Sequence, residues 1–225
     1  MSPKKALVLG TILLVPVLAF LFLKMFGVNR YSLRTYFPTS VDSTLVEGQW
    51  RYDTVYHQIP DFSLTSQTGT SFSSKALEGK ISIVHFFYTS CQGLCKQVPT
   101  QLARVQDAFR FQPEVKILSF TLHPEEDNLA AIQNFAKSYR ADANRWIFLT
   151  GPLDQVSYLA QQGFFISNND LSVNDPTQVP PNRLWLVDKE GHIRGMYEGS
   201  KATEIDKIIT EVNVLLSEYE LSDGK

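Results

Sequence analysis

Residues 81–95 read ISIVHFFYTSCQGLC, and this stretch decides the fold. Its first half, Ile81–Tyr88, is a continuous run of apolar, β-branched and aromatic residues around one histidine, which is typical of a strand covered on both faces. Its second half contains Cys91 and Cys95, the two cysteines of the chain. Apolar residues then recur at helical spacing as far as Phe109. The stretch therefore predicts a buried strand that leads into a helix, with both thiols at the junction.

The rest of the chain alternates between buried strands and amphipathic helices, and it closes with a hairpin and a helix. Crossover connections make the first strands parallel, and the closing hairpin adds antiparallel ones. We therefore predict an α/β thioredoxin-like fold, a mixed sheet flanked by helices, over residues 59–220. Its predicted elements are a short hairpin at 61–69, strands at 81–88, 115–122 and 146–150, helices at 129–139 and 152–162, a hairpin at 184–197, and a last helix capped by Thr203.

The N-terminus has a different character. Residues 6–23, ALVLGTILLVPVLAFLFL, are 18 consecutive uncharged and mostly apolar residues. A helix of this length spans about 27 Å at roughly 1.5 Å per residue, close to the thickness of the hydrocarbon core of a bilayer. A cleaved signal peptide is the alternative, but no small-residue cleavage site follows the run. We predict an N-terminal transmembrane helix within an anchor over residues 1–27. Residues 28–58 show no sustained period, and we interpret them as a tether.

Composition limits the function classes. The 225 residues carry a net charge of −2 and no basic cluster, so the chain has no electrostatic footprint for nucleic acid. The functional groups to which the sequence points are the two cysteine thiols.

Cys91 and Cys95 are four residues apart, near the predicted first turn of a helix. The positive end of a helix favours the thiolate, which is the reactive and metal-binding form. Two thiolates suit Cu(I), whereas zinc needs four ligands. A purely stabilising disulfide is the alternative, but a bridge around three residues removes little chain entropy. A second alternative is that the two cysteines are buried and chemically inert. We expect Cys91 to be partly exposed, Cys95 to be more shielded, and Pro99 to bend the helix near its start.

A series of short motifs occurs in order along residues 57–217. They are IPDF at 59–62, GK at 79–80, FFYTSC at 86–91 leading into C-x-x-x-C, PEED at 124–127, WIFLTG at 146–151, LVDKEG at 186–191 and RG at 194–195. The cysteine spacing alone is a weak signal, but the ordered set is specific. The chain resembles the Sco/SenC family, thioredoxin-fold assembly factors for the copper site of cytochrome c oxidase, and looks most similar to Bacteroidetes members.

The resemblance implies a single N-terminal anchor in the bacterial inner membrane and a soluble domain on the periplasmic, extracytoplasmic side. It implies copper held by two cysteines and one histidine, and a cytochrome c oxidase subunit, or another extracytoplasmic thiol or copper protein, as partner. The family's third ligand is a histidine eight residues before the position of Asp188. Here that position is Pro180, followed by Pro181, and no histidine lies between Leu149 and His192.

Other histidines are weaker candidates. His123 stands where the family usually has an aspartate, directly after the strand at 115–122, and we keep it as a low-probability third copper ligand. We interpret His85 as a satisfied interior residue of its strand. Asp127 is explained as a helix cap.

Three function classes remain. The first is copper handling in oxidase assembly through Cys91 and Cys95. The second is a general extracytoplasmic thiol-disulfide oxidoreductase that does not bind copper, and the third is a redox sensor without turnover. Because position 180 lacks the family's histidine, the sequence favours thiol-disulfide exchange over copper handling. We also predict that the loop with Pro180 and Pro181 faces the cysteines and that one of its X-Pro bonds is cis.

Overall fold

The computed structural model describes residues 3–26, 32–46, 48–166 and 182–223. The chain divides into two compact units, Met1–Ser32 and Leu33–Lys225. The first unit contains one helix, α1 (Pro3–Phe26), over the segment that the sequence predicts as a transmembrane anchor. The structure does not confirm that anchor: among the helices of the described residues, none is both long and apolar enough to cross a membrane.

The second unit is built on a seven-stranded mixed sheet, with strand order β4-β3-β7-β6-β5-β8-β9. Strands β5, β6 and β7 are parallel to one another, as the crossover pattern predicts. The antiparallel strands β3, β8 and β9 extend the sheet on either side. The strand bounds are β3 Ser63–Ser66, β4 Ser71–Ser73, β5 Ile81–Phe87, β6 Val115–Thr121, β7 Trp146–Thr150, β8 Arg183–Val187 and β9 Ile193–Glu198.

Helices cover both faces of this sheet, as a thioredoxin-like α/β fold requires. Every residue of β5 is buried, and its side chains alternate between two apolar clusters. Ile83 and Phe87 belong to the cluster formed with α2, α3 and α5, whereas Val84 and Phe86 belong to the cluster formed with α4. The helix bounds are α2 Gln97–Ala108, α3 Leu129–Ser138, α4 Leu153–Tyr158, continued by a π turn at Leu159–Gly163, and α5 Ala202–Asp223.

The segment predicted as an irregular tether contains regular structure. Strands β1 (Pro38–Val46) and β2 (Gln49–Tyr56) form an antiparallel hairpin that is a sheet of its own. The cross-strand pairing of Leu45 with Trp50 places these two apolar residues on one face, and both are about 60% exposed. Sequence patterns missed this hairpin because burial does not impose an alternation on its strands.

The residues before the hairpin are fixed by a buried ion-pair network. The Arg194 guanidinium on β9 donates to the Asp188 carboxylate at 3.1 Å, to the Glu218 carboxylate at 3.1 Å and to the Leu33 carbonyl at 2.6 Å. The side chain of Arg194 is 10% exposed and that of Asp188 only 2%. The guanidinium of Arg194 therefore connects the sheet, helix α5 and the residues that precede the hairpin.

Replacing Arg194 by alanine should lower the free energy of unfolding by about 3–5 kcal/mol, because it leaves the Asp188 charge buried without its partner. The matched control is Arg104→Ala, which removes the exposed Arg104–Asp206 pair and should cost at most about 1 kcal/mol. Urea denaturation measures both values. Equal losses for the two variants would contradict the assignment of Arg194 to a buried network.

Candidate redox and metal site

The cysteines lie where the sequence predicts, between the end of β5 and the start of α2. They are joined by a disulfide, with the two Cα atoms 6.2 Å apart. Cys95 lies in a short 3-10 turn, Gly93–Lys96, that precedes α2. Gly93 has φ +79°, a left-handed conformation that favours glycine and that allows the loop to reverse between the two cysteines.

The predicted difference in exposure between the two cysteines is wrong. Cys91 is 7% exposed and Cys95 is 9% exposed, so both are buried to a similar degree. Tyr88, which is itself 6% exposed, forms one buried cluster with both cysteines. The disulfide therefore lies beneath the surface of the domain.

Pro99 lies in the first turn of α2, and the bend that the sequence predicts there stays a prediction. A proline at this position has no N–H to donate to the carbonyl of Cys95. The α-helical pattern accordingly begins only at Gln97, and the preceding turn that holds Cys95 is 3-10. The second cysteine is thus carried by a tight turn rather than by a regular α-helix.

The cysteine loop is fastened to the neighbouring strand by Asp127. This carboxylate is 1% exposed and accepts hydrogen bonds from the backbone N–H of Thr89 at 3.1 Å and from the hydroxyl groups of Thr89 and Thr121. The predicted helix-cap role belongs instead to Asn128, whose side chain accepts from the backbone N–H of Ala131 at 3.0 Å. Asp127 is free for a tertiary contact because its neighbour caps α3.

His123 follows β6 at the same sheet edge as the cysteine loop. Its ring stacks on Tyr88, with ring centroids 4.8 Å apart and an interplanar angle of 20°. Its Nδ1 lies 4.0 Å from the Glu126 carboxylate. His123 is therefore next to the aromatic side chain that covers the disulfide, and it is not among the residues that line the cavity beneath it.

A small cavity of about 40 Å³ lies beside the disulfide. Cys91 and Cys95 line it together with His85, which is 1% exposed and projects from β5. The prediction that His85 is an interior residue is confirmed, but its place beside the cysteines was missed. The alternation of side chains along a strand could have indicated this position, because His85 and Phe87 lie on the same face of β5. Seven further residues line it: Phe87, Tyr88, Thr89, Lys96, Pro99, Phe135 and Tyr139.

Asp188, Glu190 and His192 bring ligand-type atoms within 4.8 Å of one another in the β8–β9 turn. The Asp188 carboxylate already accepts from the backbone N–H groups of Glu190 at 3.1 Å and His192 at 2.8 Å, and it pairs with Arg194. These contacts hold the turn and account for the cluster without a metal ion. Pro180 and Pro181 lie outside the described residues, so the predictions about their loop stay predictions.

The sequence matches the SCO1/SenC family over residues 52–217. The chain is 25% identical over 167 residues to the SCO1 protein homolog of Bacillus subtilis strain 168, an alignment that covers 73% of this chain and 86% of that protein.

Solved structures show the same fold. BsSco, described as a member of the Sco family of cytochrome c oxidase assembly proteins with a disulfide switch, superposes with a TM-score of 0.60 at 24% identity, covering 70% of this chain and 92% of that one. Yeast Sco1 with copper bound superposes with a TM-score of 0.52 at 21% identity, covering 69% and 92%.

Replacing Asp127 by alanine should lower the free energy of unfolding by about 3 kcal/mol, because the buried N–H and O–H donors of Thr89 and Thr121 lose their acceptor. It should also speed reduction of the disulfide by dithiothreitol, since the loop is no longer fastened. Glu125→Ala, an exposed neighbour, is the control and should change stability by less than about 0.5 kcal/mol. Unchanged stability and reduction rate in Asp127→Ala would refute the fastening role.

Proposed function

The chain belongs to the SCO1/SenC family, and from this premise we propose that it acts in the assembly of the copper site of cytochrome c oxidase through Cys91 and Cys95. The observation that carries the proposal is the disulfide at the junction of β5 and α2, at the carboxyl edge of the parallel strands. This edge is where sites form in α/β sheets. The family resemblance supplies the oxidase as the partner.

Thiol-disulfide exchange is one reaction that this cysteine pair supports once a partner reaches the sulfurs. In the reduced chain, one thiolate attacks a partner disulfide and forms a mixed disulfide, while one partner sulfur leaves as a thiolate. The second cysteine then attacks the mixed disulfide, closes the Cys91–Cys95 bond and releases the partner as a dithiol. Two electrons pass to the partner in this cycle. A thiol reductant of the extracytoplasmic compartment must reduce the chain again.

Copper handling uses the same sulfurs. Two thiolates form a soft donor pair that suits Cu(I), and two-coordinate binding is sufficient for this ion. The cavity beside the disulfide offers space next to both sulfurs. Cu(II) prefers nitrogen and oxygen ligands in a tetragonal arrangement, so we expect it to bind less tightly than Cu(I).

A general thiol-disulfide oxidoreductase without copper is the second candidate function. It is supported by the resemblance, which assigns the family's histidine to position 180, where this sequence has Pro180 followed by Pro181. Copper stoichiometry of the reduced chain separates the two candidates, because only the first requires about one Cu(I) per chain.

We further propose that the domain works outside the cytoplasm, at the bacterial inner membrane. Disulfides persist in oxidising compartments, and the uncharged run at residues 6–23 supports attachment at the membrane. In fractionated cells the full chain should sediment with membranes, and a chain without residues 1–27 should not. Protease added to spheroplasts should digest the domain, and protection of the domain from protease would contradict this orientation.

Replacing both cysteines by serine should abolish the redox transition with dithiothreitol and weaken Cu(I) binding at least 100-fold, because serine hydroxyls are poor ligands for a soft ion. The double variant should also fail to restore oxidase activity in cells lacking the chain. Ser90→Ala changes an exposed side chain of the same loop and should behave as the parent. Full restoration of oxidase activity by the double variant would refute the proposed function.

A further inference from the structure

We propose that the β1–β2 hairpin docks on the surface of a lipid bilayer through one of its two faces. This inference rests on the proposed attachment of the chain to the membrane, and it concerns residues outside the cysteine site. Residues directly opposite each other on paired strands lie on the same face of a sheet, and the face changes with each position along a strand. The face in question, called the apolar face, consists of Val41, Ser43 and Leu45 on β1 and of Thr54, Tyr52 and Trp50 opposite them on β2.

The apolar face is open to solvent. Its four large side chains, those of Val41, Leu45, Trp50 and Tyr52, are each between 60% and 67% exposed. Single exposed apolar residues are common, but a group of them on one face marks an interaction surface. A hairpin of two strands is also only marginally stable by itself in water. A surface that covers the apolar face would therefore stabilise the hairpin as well as bind it.

The charged residues of the hairpin lie on the other face. Asp42 is directly opposite Asp53, and Arg51 is directly opposite Thr44. Among the described residues of the hairpin, none on the apolar face is charged. The two faces thus differ in the way that an amphipathic segment at a membrane requires, with one side suited to the headgroup region and the other to water.

The residue types of the apolar face favour a bilayer as the occupant. Trp and Tyr are enriched at the membrane–water interface because each ring combines an apolar body with one polar group. Trp50 and Tyr52 are two positions apart on β2, and Leu45 and Val41 add aliphatic surface beside them on β1. The polar groups on this face are hydroxyls and one indole N–H, which interfacial water and lipid headgroups can satisfy. The face offers no charge to pair with a charge on a protein partner.

The chain length also favours the bilayer. Strand β1 begins at Pro38, twelve positions after α1 ends at Phe26, and a chain of that length spans at most about 40 Å when fully extended. If residues 6–23 are held in a bilayer, the start of the hairpin cannot lie farther than this from the end of α1. A connection this short gives a high effective concentration at the membrane surface, so a weak interfacial affinity is sufficient for docking.

The base of the hairpin is fixed to the thioredoxin-like domain. Before β1, the N–H of Tyr36 donates to the carbonyl of Ile193 at 2.9 Å, and after β2, the N–H of Ile59 donates to the carbonyl of Gly191 at 3.0 Å. Both acceptors belong to β9 or to the turn that precedes it. Docking of the hairpin would therefore restrict how the domain is oriented at the membrane.

The test uses the fluorescence of Trp50 in the full chain. Trp50 is 61% exposed, whereas Trp146 and Trp185, the other two tryptophans of the chain, are 0% and 1% exposed. The difference in emission between the parent and Trp50→Phe therefore reports on the hairpin. The chain is reconstituted in phosphatidylcholine vesicles whose acyl chains carry bromine either near the headgroup or near the methyl end. Trp50 should be quenched more strongly by the shallow bromines and should be shielded from acrylamide in the water.

Two variants test which face docks. Leu45→Asp adds a charge to the apolar face and should at least halve the quenching of Trp50 by bromine. Thr44→Asp adds the same charge at the neighbouring position on the opposite face and should behave as the parent, so equal losses in the two variants would overturn the proposal. Because the apolar face is uncharged, high salt should not reduce the quenching in the parent. Urea denaturation and the redox transition with dithiothreitol report whether each variant is folded around an intact cysteine pair.

The remaining outcomes separate this proposal from the membrane attachment on which it rests. A chain that sediments with the vesicles while Trp50 stays open to acrylamide and is not quenched by bromine would overturn the docking and leave the attachment intact. Shielding from acrylamide that increases with the ratio of protein to lipid, without quenching by bromine, would identify a second copy of the chain as the occupant and would also overturn it. Failure of the chain to sediment with vesicles would overturn both the docking and the attachment.

Discussion

The pairing of β5 with β6 on one side and with β8 on the other positions everything else in this domain. Because β5 and β6 are parallel, their carboxyl ends meet at one edge, with Phe87 opposite Thr121. The cysteine loop leaves β5 at that edge, and Asp127 follows β6 at the same edge. The carboxylate of Asp127 accepts hydrogen bonds from both Thr89 and Thr121. These bonds attach the cysteine loop to the end of β6.

Burial of this edge sets its chemical character. The disulfide, Tyr88 and the cavity with His85 all lie below the surface of the domain. A thiolate in such a place is shielded from water, and its reactivity depends on the groups packed around it. The start of α2, Lys96 and the imidazole are the groups that the fold provides. Lys96 lies in the 3-10 turn that precedes α2, and His85 lies on β5, a strand that the apolar pattern of the sequence predicts.

Much of this framework could be predicted from the sequence. The buried runs at 81–88 and 146–150 are strands because apolar periodicity reports burial, which is the dominant local constraint on a strand inside a sheet. The hairpin at β1 and β2 could not be predicted, since its strands are solvated and carry no such pattern. Helix starts were uncertain by a residue: α5 begins at Ala202, which places the predicted cap Thr203 inside its first turn.

The sequence predicts the cysteine pair of the candidate site but not the tertiary contacts that surround it. The spacing of Cys91 and Cys95 and their position after a strand follow from local sequence. The role of Asp127 does not, because Asp127 and Asn128 are both capping residue types and only a contact with Thr89, 38 positions earlier, distinguishes them. The same holds for the burial of Cys91, which depends on how Tyr88 packs, and for the place of His85 beside the sulfurs.

The burial of the disulfide also bears on the choice between the two candidate functions. An oxidoreductase with many partners needs a sulfur that an incoming thiolate can reach, whereas Cys91 is 7% exposed beneath Tyr88. A partner must therefore displace Tyr88 or the loop that carries it before exchange can occur, which favours a dedicated partner over a broad range of substrates. In the proposed copper-handling function, the same cover would shield Cu(I) on the two sulfurs from water and from competing thiols. The burial of the cysteine pair is therefore compatible with the proposed role at one dedicated partner.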